Sequence, residues 1–312
     1  MTQPRLDIPN VRFLQALSRL RSADGSSGGR IYSIATYADS SGQTRVLLNL
    51  DGDLHAANLD GSSHQALSMG GECSRATAIA PNGSRVACDA YLHGGDTEAL
   101  LMASADGNGH FSRGHITSLP LGDNIHALSW SPDGRYLAVV QTVADCVIAI
   151  YDASAQPDPT LALYVTSERF TDKFGSCAIG QISWSPDGQD VRFLMGSGPE
   201  VVMRTVGVSD HLPRPGTQVA SISLAVADDQ MPSTSLFNGY APVAWHPSSP
   251  RWLAYALFDY RGTTDPQPIT AQVMRIMDLH SLRSTVLFQV PIQGDTISYL
   301  AWLQDGAGLV FV

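Results

Sequence analysis

The chain has 312 residues, a net charge of −10 at pH 7 and a pI near 5.2, with 44% hydrophobic and only 15% charged residues. This composition fits a soluble globular protein and argues against nucleic acid as a partner, because phosphate binding needs a basic surface. No stretch approaches the roughly 20 apolar residues of a membrane helix, so we expect no membrane span. The 28 Gly and 18 Pro are typical of a chain with many turns.

The N-terminal segment, residues 1–29, precedes the repeated part of the chain. We predict that part of Arg5–Leu20 forms a strand that pairs with the C-terminal repeat. The alternative is a helix, since leucines recur there at three-residue spacing and Asn10 is a suitable cap. The Ser- and Gly-rich residues 21–30 then form a flexible connection.

No basic region followed by an apolar core is visible at the N-terminus. We therefore expect a cytoplasmic protein. A secreted or periplasmic protein is the alternative, if a signal or a longer chain has been trimmed.

Residues 30–312 repeat a strand–turn–strand pattern around the tetrapeptide SPDG. The two clear copies are HALSWSPDGRYLAVV (126–140) and QISWSPDGQDVRFL (181–194), with weaker relatives at 34–48, 77–88, 243–257 and 299–312. Pro followed by Asp-Gly makes a sharp reversal, because Pro fixes φ and Gly accepts a left-handed conformation. The apolar anchors that precede the turns are Tyr37, Ile79, Trp130, Trp184, Trp245 and Trp302.

The anchors are 42, 51, 54, 61 and 57 residues apart. Periods of about 40–50 residues with four strands each are typical of β-propeller blades. In the third unit the pattern predicts strands at Ala127–Trp130, Tyr136–Thr142, Val147–Tyr151 and Thr160–Val165. We therefore predict an all-β fold with one propeller over residues 30–312. Six four-stranded blades are expected, with five or seven as alternatives.

Two turn sequences resemble those of the TolB-type propellers, which are relatives of the WD-repeat proteins. They are SWSPDG, between the first and second strands of a unit, and LHAANLDGSS (54–63), between the third and fourth. The resemblance covers nearly the whole of residues 30–312, but the WD-type Gly-His and Trp-Asp dipeptides are missing. It implies the fold; for function it allows binding proteins, periplasmic accessory proteins and peptidase propellers.

In such a fold the SPDG turns lie on one face of the disc, which we call the turn face. The opposite loop face receives the long insertions, Ser167–Gly180, Ala227–Tyr240 and Phe258–Ala271. Long loops on a rigid scaffold are common binding sites. The candidate partner-binding residues there are acidic: Asp172, Asp228, Asp229 and Asp259.

The central channel supplies a second candidate site at its mouth. By the strand assignment, five residues lie near one level of the inner strands: Arg75, His126, Gln181, Tyr240 and Tyr299. Such a ring of polar and aromatic groups is a candidate pocket for a small ligand. The alternative is channel lining that contacts only water.

The four cysteines form no CxxC motif. Cys88 is predicted to be a small buried apolar residue within a strand. Cys146 and Cys177 belong to neighbouring units, and they are candidates for a disulfide or, with His93 and Asp145, for a metal site. We expect neither a metal nor another cofactor.

Together these features predict a non-catalytic, monomeric binding or scaffolding propeller whose partner is a protein or peptide, with basic character as one option. The alternative is an enzyme of the lyase, hydrolase or lactonase type at the channel mouth, with His126 and Asp145 as catalytic candidates. No nucleophile elbow, zinc-protease motif or Walker loop supports catalysis.

Overall fold

The computed structural model describes residues 12–14, 31–67, 69, 72–91, 98–106, 111, 115–117, 119, 124–142, 146–154, 160–166, 177, 179–197, 200–209, 212–220, 243–260, 269–281, 283–291 and 299–311. Within these ranges the regular secondary structure is entirely β-strand. The strands form five four-stranded sheets and one three-stranded sheet. The chain is therefore an all-β propeller.

Each four-stranded sheet is an antiparallel meander in chain order, and we call these sheets blades 1 to 5. Blade 1 contains β2 (Ile31–Ala38), β3 (Thr44–Leu50), β4 (Asp53–Asn58) and β5 (Gln65–Leu67). Blade 2 contains β6 (Cys73–Ile79), β7 (Arg85–Tyr91), β8 (Glu98–Ser104) and β9 (His115–Thr117). Blade 3 contains β10 (Asn124–Trp130), β11 (Tyr136–Thr142), β12 (Cys146–Asp152) and β13 (Thr160–Thr166). Blade 4 contains β14 (Ile179–Trp184), β15 (Asp190–Ser197), β16 (Glu200–Ser209) and β17 (Leu212–Ala220). Blade 5 contains β18 (Val243–Trp245), β19 (Trp252–Tyr260), β20 (Ile269–Asp278) and β21 (Arg283–Pro291).

The three-stranded sheet, here called the closing sheet, lies between blade 5 and blade 1. It contains β22 (Leu300–Trp302), β23 (Gly308–Phe311) and β1 (Arg12–Leu14). β22 and β23 are antiparallel, whereas β1 runs parallel to β23 with Arg12 opposite Gly308. Within the described residues the structure thus has five four-stranded blades, which is one of the alternatives to the six expected, and the last repeat supplies only two strands to its sheet.

The strand assignment from the third repeat is confirmed. β11 matches the prediction at both ends, and the other three strands of blade 3 extend one to three residues beyond it. The predicted insertion Phe258–Ala271 is wrong at its ends, because β19 continues to Tyr260 and β20 begins at Ile269. Asp259 therefore lies in a strand, opposite Ala271, rather than in a loop.

The SPDG turns are held by their own side chains. In blade 3 the Ser131 hydroxyl donates to Asp133, whose Oδ1 accepts the Arg135 N–H at 3.0 Å. The Tyr136 N–H donates back to Ser131 Oγ at 2.8 Å. Ser185 and Asp187 repeat this arrangement in blade 4. The motif therefore closes each hairpin from local sequence alone.

Turn glycines also allow neighbouring turns to approach each other. Gly83 has φ +68°, and a Cβ there would lie 2.8 Å from both the Ala38 carbonyl oxygen and the Tyr37 ring of blade 1. Gly42 has a similar φ of +79°, but a Cβ at that position would meet nothing within 4 Å. The two glycines differ in packing and share the same backbone requirement.

His246 takes the place of the turn serine in blade 5, and its role is structural, as predicted. Its Nδ1 accepts the Ser248 N–H at 3.3 Å, and its ring packs against Trp302 of the closing sheet with centroids 4.7 Å apart. Burial lowers the pKa of the imidazole below its usual value.

Inner-strand tryptophans link each sheet to the one before it. Trp130 Nε1 donates to the Ala78 carbonyl of blade 2 at 3.3 Å, and Trp184 Nε1 donates to Ser129 of blade 3 at 3.0 Å. Trp302 Nε1 donates to Ala244 of blade 5 at 2.9 Å. In each case the acceptor immediately precedes the anchor of the preceding unit. These bonds join structural neighbours that are more than 50 residues apart in the chain.

Trp245 is the exception. Its Nε1 is buried, yet it has no hydrogen-bond partner among the residues that the structure describes. The Arg192 guanidinium of blade 4 lies over the Trp245 ring instead, 5.9 Å from its centroid. The boundary between blades 4 and 5 therefore uses a cation–π contact where three others use an indole hydrogen bond.

We expect Trp130→Phe, Trp184→Phe and Trp302→Phe each to destabilise the protein more than Trp245→Phe. All four variants lose similar ring volume, but the first three also leave a carbonyl without its donor, which costs about 1 kcal/mol more. Urea denaturation measures the difference in the free energy of unfolding, provided that the m-value is the same for all four variants. Equal losses in all four variants would contradict the role given to the indole bond.

A second comparison tests the packing of the turns. Gly83→Ala combines a strained φ with a clash against blade 1 backbone, whereas Gly42→Ala has the strain alone. We expect Gly42→Ala to cost about 1–2 kcal/mol and Gly83→Ala at least about 1 kcal/mol more, measured as thermal and urea midpoints. A Gly83→Ala variant as stable as Gly42→Ala would show that the turns do not pack on each other.

Candidate functional site

Four consecutive inner strands carry a β-bulge at the same end. The register shifts lie between Ile31 and Ser33, Cys73 and Thr77, Ile125 and Ala127, and Ile179 and Ile182. This is the end opposite the SPDG turns, where the channel opens on the loop face. Bulges re-aim side chains and are common next to functional sites.

The bulges contain three of the five residues predicted to line the channel mouth. Arg75 lies in the bulge of β6, His126 in that of β10 and Gln181 in that of β14. Tyr32, which the sequence analysis missed, takes the corresponding position in β2. The channel mouth is defined here as these four positions together with Tyr299.

Tyr299 and Tyr240 complete the predicted ring. Tyr299 directly precedes β22, is half-buried and packs on the core between the closing sheet and blade 1. Tyr240 lies outside the described residues.

His126 lies at the channel mouth, and one neighbouring side chain orients its ring. It is exposed, and its Nε2 forms a hydrogen bond of 2.7 Å with Thr142 Oγ1 of the adjacent strand β11. An imidazole held in this way can bind a polar group or exchange a proton.

Buried polar side chains lie beneath the mouth, near the end of the second strand in blades 1 to 3. They are Asn49, Asp89 and Gln141, each at most 2% exposed. The sequence analysis missed them, although each interrupts an apolar strand at the same end: RVLLNL, RVACDAY and YLAVVQT. Because buried polar groups need partners, these interruptions were a usable signal.

Asn49 ties blade 1 to the bulge of blade 2. Its Nδ2 donates to the Ser74 carbonyl at 2.9 Å, with longer contacts to the Cys73 carbonyl and Thr77 Oγ1. Its Oδ1 accepts the Gly52 N–H at 3.0 Å. The amide therefore fixes the position of the bulge that contains Arg75.

Asp89 and Gln141 act within their own blades. Asp89 Oδ1 accepts the Ala76 N–H at 2.7 Å, a backbone group that the bulge removes from the strand ladder. Gln141 Oε1 accepts the Tyr151 hydroxyl at 3.1 Å. Burial raises the pKa of Tyr151 to about 12, so the phenol stays protonated at neutral pH.

All four cysteines are paired in disulfides. Cys146 of blade 3 is joined to Cys177, which precedes β14 of blade 4, with Cα atoms 5.0 Å apart. Of the two alternatives left open from sequence, the structure therefore has the disulfide, and neither sulfur is available as a thiolate ligand. Cys73 is joined to Cys88 across β6 and β7. The predicted burial of Cys88 in a strand is confirmed, whereas its pairing with Cys73 was not expected from sequence.

Most of the predicted loop-face and metal candidates lie outside the described residues. These are Asp172, Asp228, Asp229, His93 and Asp145. Within the described part of the chain, no group of three or more His, Cys, Asp or Glu side chains is placed to hold a metal ion.

The carboxylates with the clearest pKa shifts lie on the turn face, and their shifts have structural causes. The hydrogen bond from Arg135 lowers the pKa of Asp152 to about 2, and Arg251 lowers that of Asp278 in the same way. Serine hydroxyls in tight turns lower the pKa values of three further residues: Asp39, Asp60 and Asp187. These groups stay ionised and serve as turn caps and ion-pair partners.

With the geometry established, the fold can be compared with known structures. The chain is similar to a candidate TolB from Agrobacterium tumefaciens, with a TM-score of 0.58 and 17% identity over 92% of this chain and 91% of that one. The fold is a TolB-like β-propeller.

The fold is also similar to two other structures, those of an enzyme and an enzyme candidate. One is Kuenenia stuttgartiensis hydrazine synthase (TM-score 0.52, 11% identity, 92% of this chain and 97% of that one). The other is a candidate 6-phosphogluconolactonase from Bacteroides uniformis (TM-score 0.51, 14% identity, 92% and 79%). At such identities the likeness shows the fold alone. Neither the protein-family models nor the curated proteins include a match to this sequence.

Among the described residues, no helix is long and apolar enough to cross a membrane.

We expect Asn49→Ala to lower the free energy of unfolding by about 1–3 kcal/mol, because it removes the donor to the partly buried Ser74 carbonyl and the acceptor of the buried Gly52 N–H. Asn49→Asp should be at least as harmful, since a carboxylate would face the carbonyl oxygens that now accept from Nδ2. Asn58→Ala is the control, because the Asn58 amide contacts only Ser62 in an exposed turn. Equal urea midpoints for Asn49→Ala and Asn58→Ala would contradict the role of Asn49.

Proposed function

We propose that this propeller is a non-catalytic module that binds a protein or peptide partner on its loop face, with the channel mouth at the centre of the contact. The observation that carries the proposal is the set of four bulges at one end of consecutive inner strands. The bulged positions are occupied by Tyr32, Arg75, His126 and Gln181. Aromatic residues and arginine are enriched in protein interfaces.

The support beneath the mouth favours binding. Asn49 and Asp89 bond to backbone groups of the β6 bulge, so the bulge is held before any partner arrives. A preorganised surface loses little conformational entropy on association. The channel mouth is therefore suited to bind a partner with a surface that is already rigid.

Charge indicates the character of the partner. The chain carries a net charge of −10, and the loop-face candidates Asp172, Asp228, Asp229 and Asp259 are four of its 29 carboxylate residues. On the turn face, by contrast, Asp152 and Asp278 are already paired with arginines. A partner with a basic surface or a basic segment would complement the loop face and associate faster at low ionic strength.

The alternative is an enzyme at the same mouth, and His126 is the observation that favours it. Its imidazole is exposed and oriented by Thr142, as a proton-transfer group requires. The fold likeness to a candidate 6-phosphogluconolactonase is compatible with this alternative. Binding is preferred because the clearest pKa shifts among the described carboxylates arise from turns and ion pairs, whereas catalytic sites concentrate such shifts.

The experiment that tests the proposal is an array of short peptides graded in net charge. It compares the wild type with His126→Ala and with the double variant Asp228→Asn/Asp229→Asn. Gln189→Ala, in the exposed SPDG turn of blade 4, is the control. We expect a subset of basic peptides to bind, and each loop-face variant to lose at least about tenfold in affinity, or 1.4 kcal/mol. The control should be unchanged.

Two results would overturn the proposal. One is binding that Gln189→Ala reduces as much as the loop-face variants do. The other is turnover of a lactone panel, followed by acid release, that His126→Ala abolishes. The second result would establish the enzyme in place of the binding module.

A further inference from the structure

The Cys146–Cys177 disulfide connects two neighbouring blades at the channel mouth. Cys146 is the first residue of β12 in blade 3, and Cys177 lies two residues before β14 in blade 4. The Cys73–Cys88 disulfide, in contrast, lies within blade 2, between β6 and β7. The first bond therefore restrains a boundary between blades, and the second restrains a single sheet.

The inter-blade disulfide reaches mouth residues on both of its sides. In blade 3, Cys146 is opposite Thr142 in the strand ladder, and Thr142 Oγ1 bonds the His126 ring at 2.7 Å. In blade 4, Cys177 is followed directly by the first residues of β14 and by the bulge at 180–181. One covalent bond thus sets the spacing between the His126 and Gln181 positions.

The two disulfides differ in exposure. Cys73 and Cys88 are at most 2% exposed, and Cys146 is fully buried. Cys177 is only partly buried, at the edge of the core between blades 3 and 4. Thiol–disulfide exchange begins with attack of a thiolate on an accessible sulfur. Among the four cysteines only Cys177 is partly exposed, so we expect attack at its sulfur rather than at the Cys73–Cys88 pair.

We propose that the Cys146–Cys177 disulfide is a redox-dependent clamp on the channel mouth, and that the oxidised protein is the binding-competent form. That the oxidised protein binds a partner rests on the proposed function, whereas the redox-dependent clamp does not. In the closing step the two thiols lose two protons and two electrons and form one S–S bond. A small disulfide such as oxidised glutathione accepts them and becomes two thiols. A dithiol reductant reverses the step.

The proposal also bears on where the protein matures. Disulfides persist in oxidising compartments and are rare in the cytosol. A chain whose four cysteines form two disulfides fits a secreted or periplasmic location better than the cytoplasmic one expected from the N-terminal sequence. The oxidant of such a compartment would close the clamp before a partner is met.

The test begins with the full chain, incubated with oxidised glutathione and then exposed to dithiothreitol for increasing times. Alkylation with a mass tag and peptide mapping follow each disulfide separately. We expect Cys146–Cys177 to be reduced at least about tenfold faster than Cys73–Cys88, because only the first includes a partly exposed cysteine. Hydrogen exchange on the partly reduced protein should show Ile179–Trp184 and Asn124–Trp130 exchanging about tenfold faster, with β19 and β20 unchanged.

The double variants Cys146→Ala/Cys177→Ala and Cys73→Ala/Cys88→Ala form a matched pair. The first should reproduce the faster exchange in β10 and β14, and the second should leave these two strands unchanged. If the first variant fails to fold, timed reduction of the wild type gives the same readout without it. Four free thiols after oxidation, equal reduction rates, or unchanged exchange in β10 and β14 would each overturn the clamp.

The peptide array then separates this inference from the proposed function. Loss of basic-peptide binding on selective reduction supports both. Selective reduction with faster exchange, in a protein that binds no peptide at either redox state, overturns the proposed function and leaves the clamp in place.

Discussion

The propeller depends on a hydrogen bond between neighbouring sheets, donated by an inner-strand tryptophan to the carbonyl that precedes the previous anchor. A single blade cannot bury both of its faces, so each must pack on its neighbours, and the indole bond sets the distance and register of that packing. Trp130, Trp184 and Trp302 make this bond, and Thr36 of blade 1 donates to the Trp302 carbonyl to join the closing sheet to blade 1. The boundary at Trp245 uses Arg192 instead, which makes it chemically distinct from the other three.

The two ends of the inner strands satisfy their backbone polar groups in different ways. At the turn face the SPDG motif satisfies its own polar groups in blades 3 and 4, and the carboxylates with lowered pKa values there are engaged in turns and ion pairs. At the loop face the bulges interrupt the strand ladder, and buried side chains such as Asn49 and Asp89 supply the missing partners. The residues that emerge from the bulges differ from blade to blade. On rigid scaffolds, binding residues commonly occupy positions that vary in this way.

Much of the fold could be predicted from sequence, because its determinants are local. The SPDG turns and the alternation around them placed the strands of blade 3 to within a few residues, and His246 was correctly assigned to a turn. The site could be predicted only in part. Arg75, His126 and Gln181 were selected by level along the inner strands, but a bulge depends on pairing with a second strand and left no mark in the sequence. Tyr32 was missed for that reason.

The sequence by itself determined the class of fold, the repeat and the chemistry of its turns, since these depend on residues within a few positions of one another. The tertiary structure decided the pairings between distant residues. These include the parallel contact of β1 with β23, the approach of Cys146 to Cys177, and the bond from Asn49 to the next blade. Such contacts depend on how successive sheets pack around a common axis. That geometry is a property of the closed ring, and no single repeat contains it.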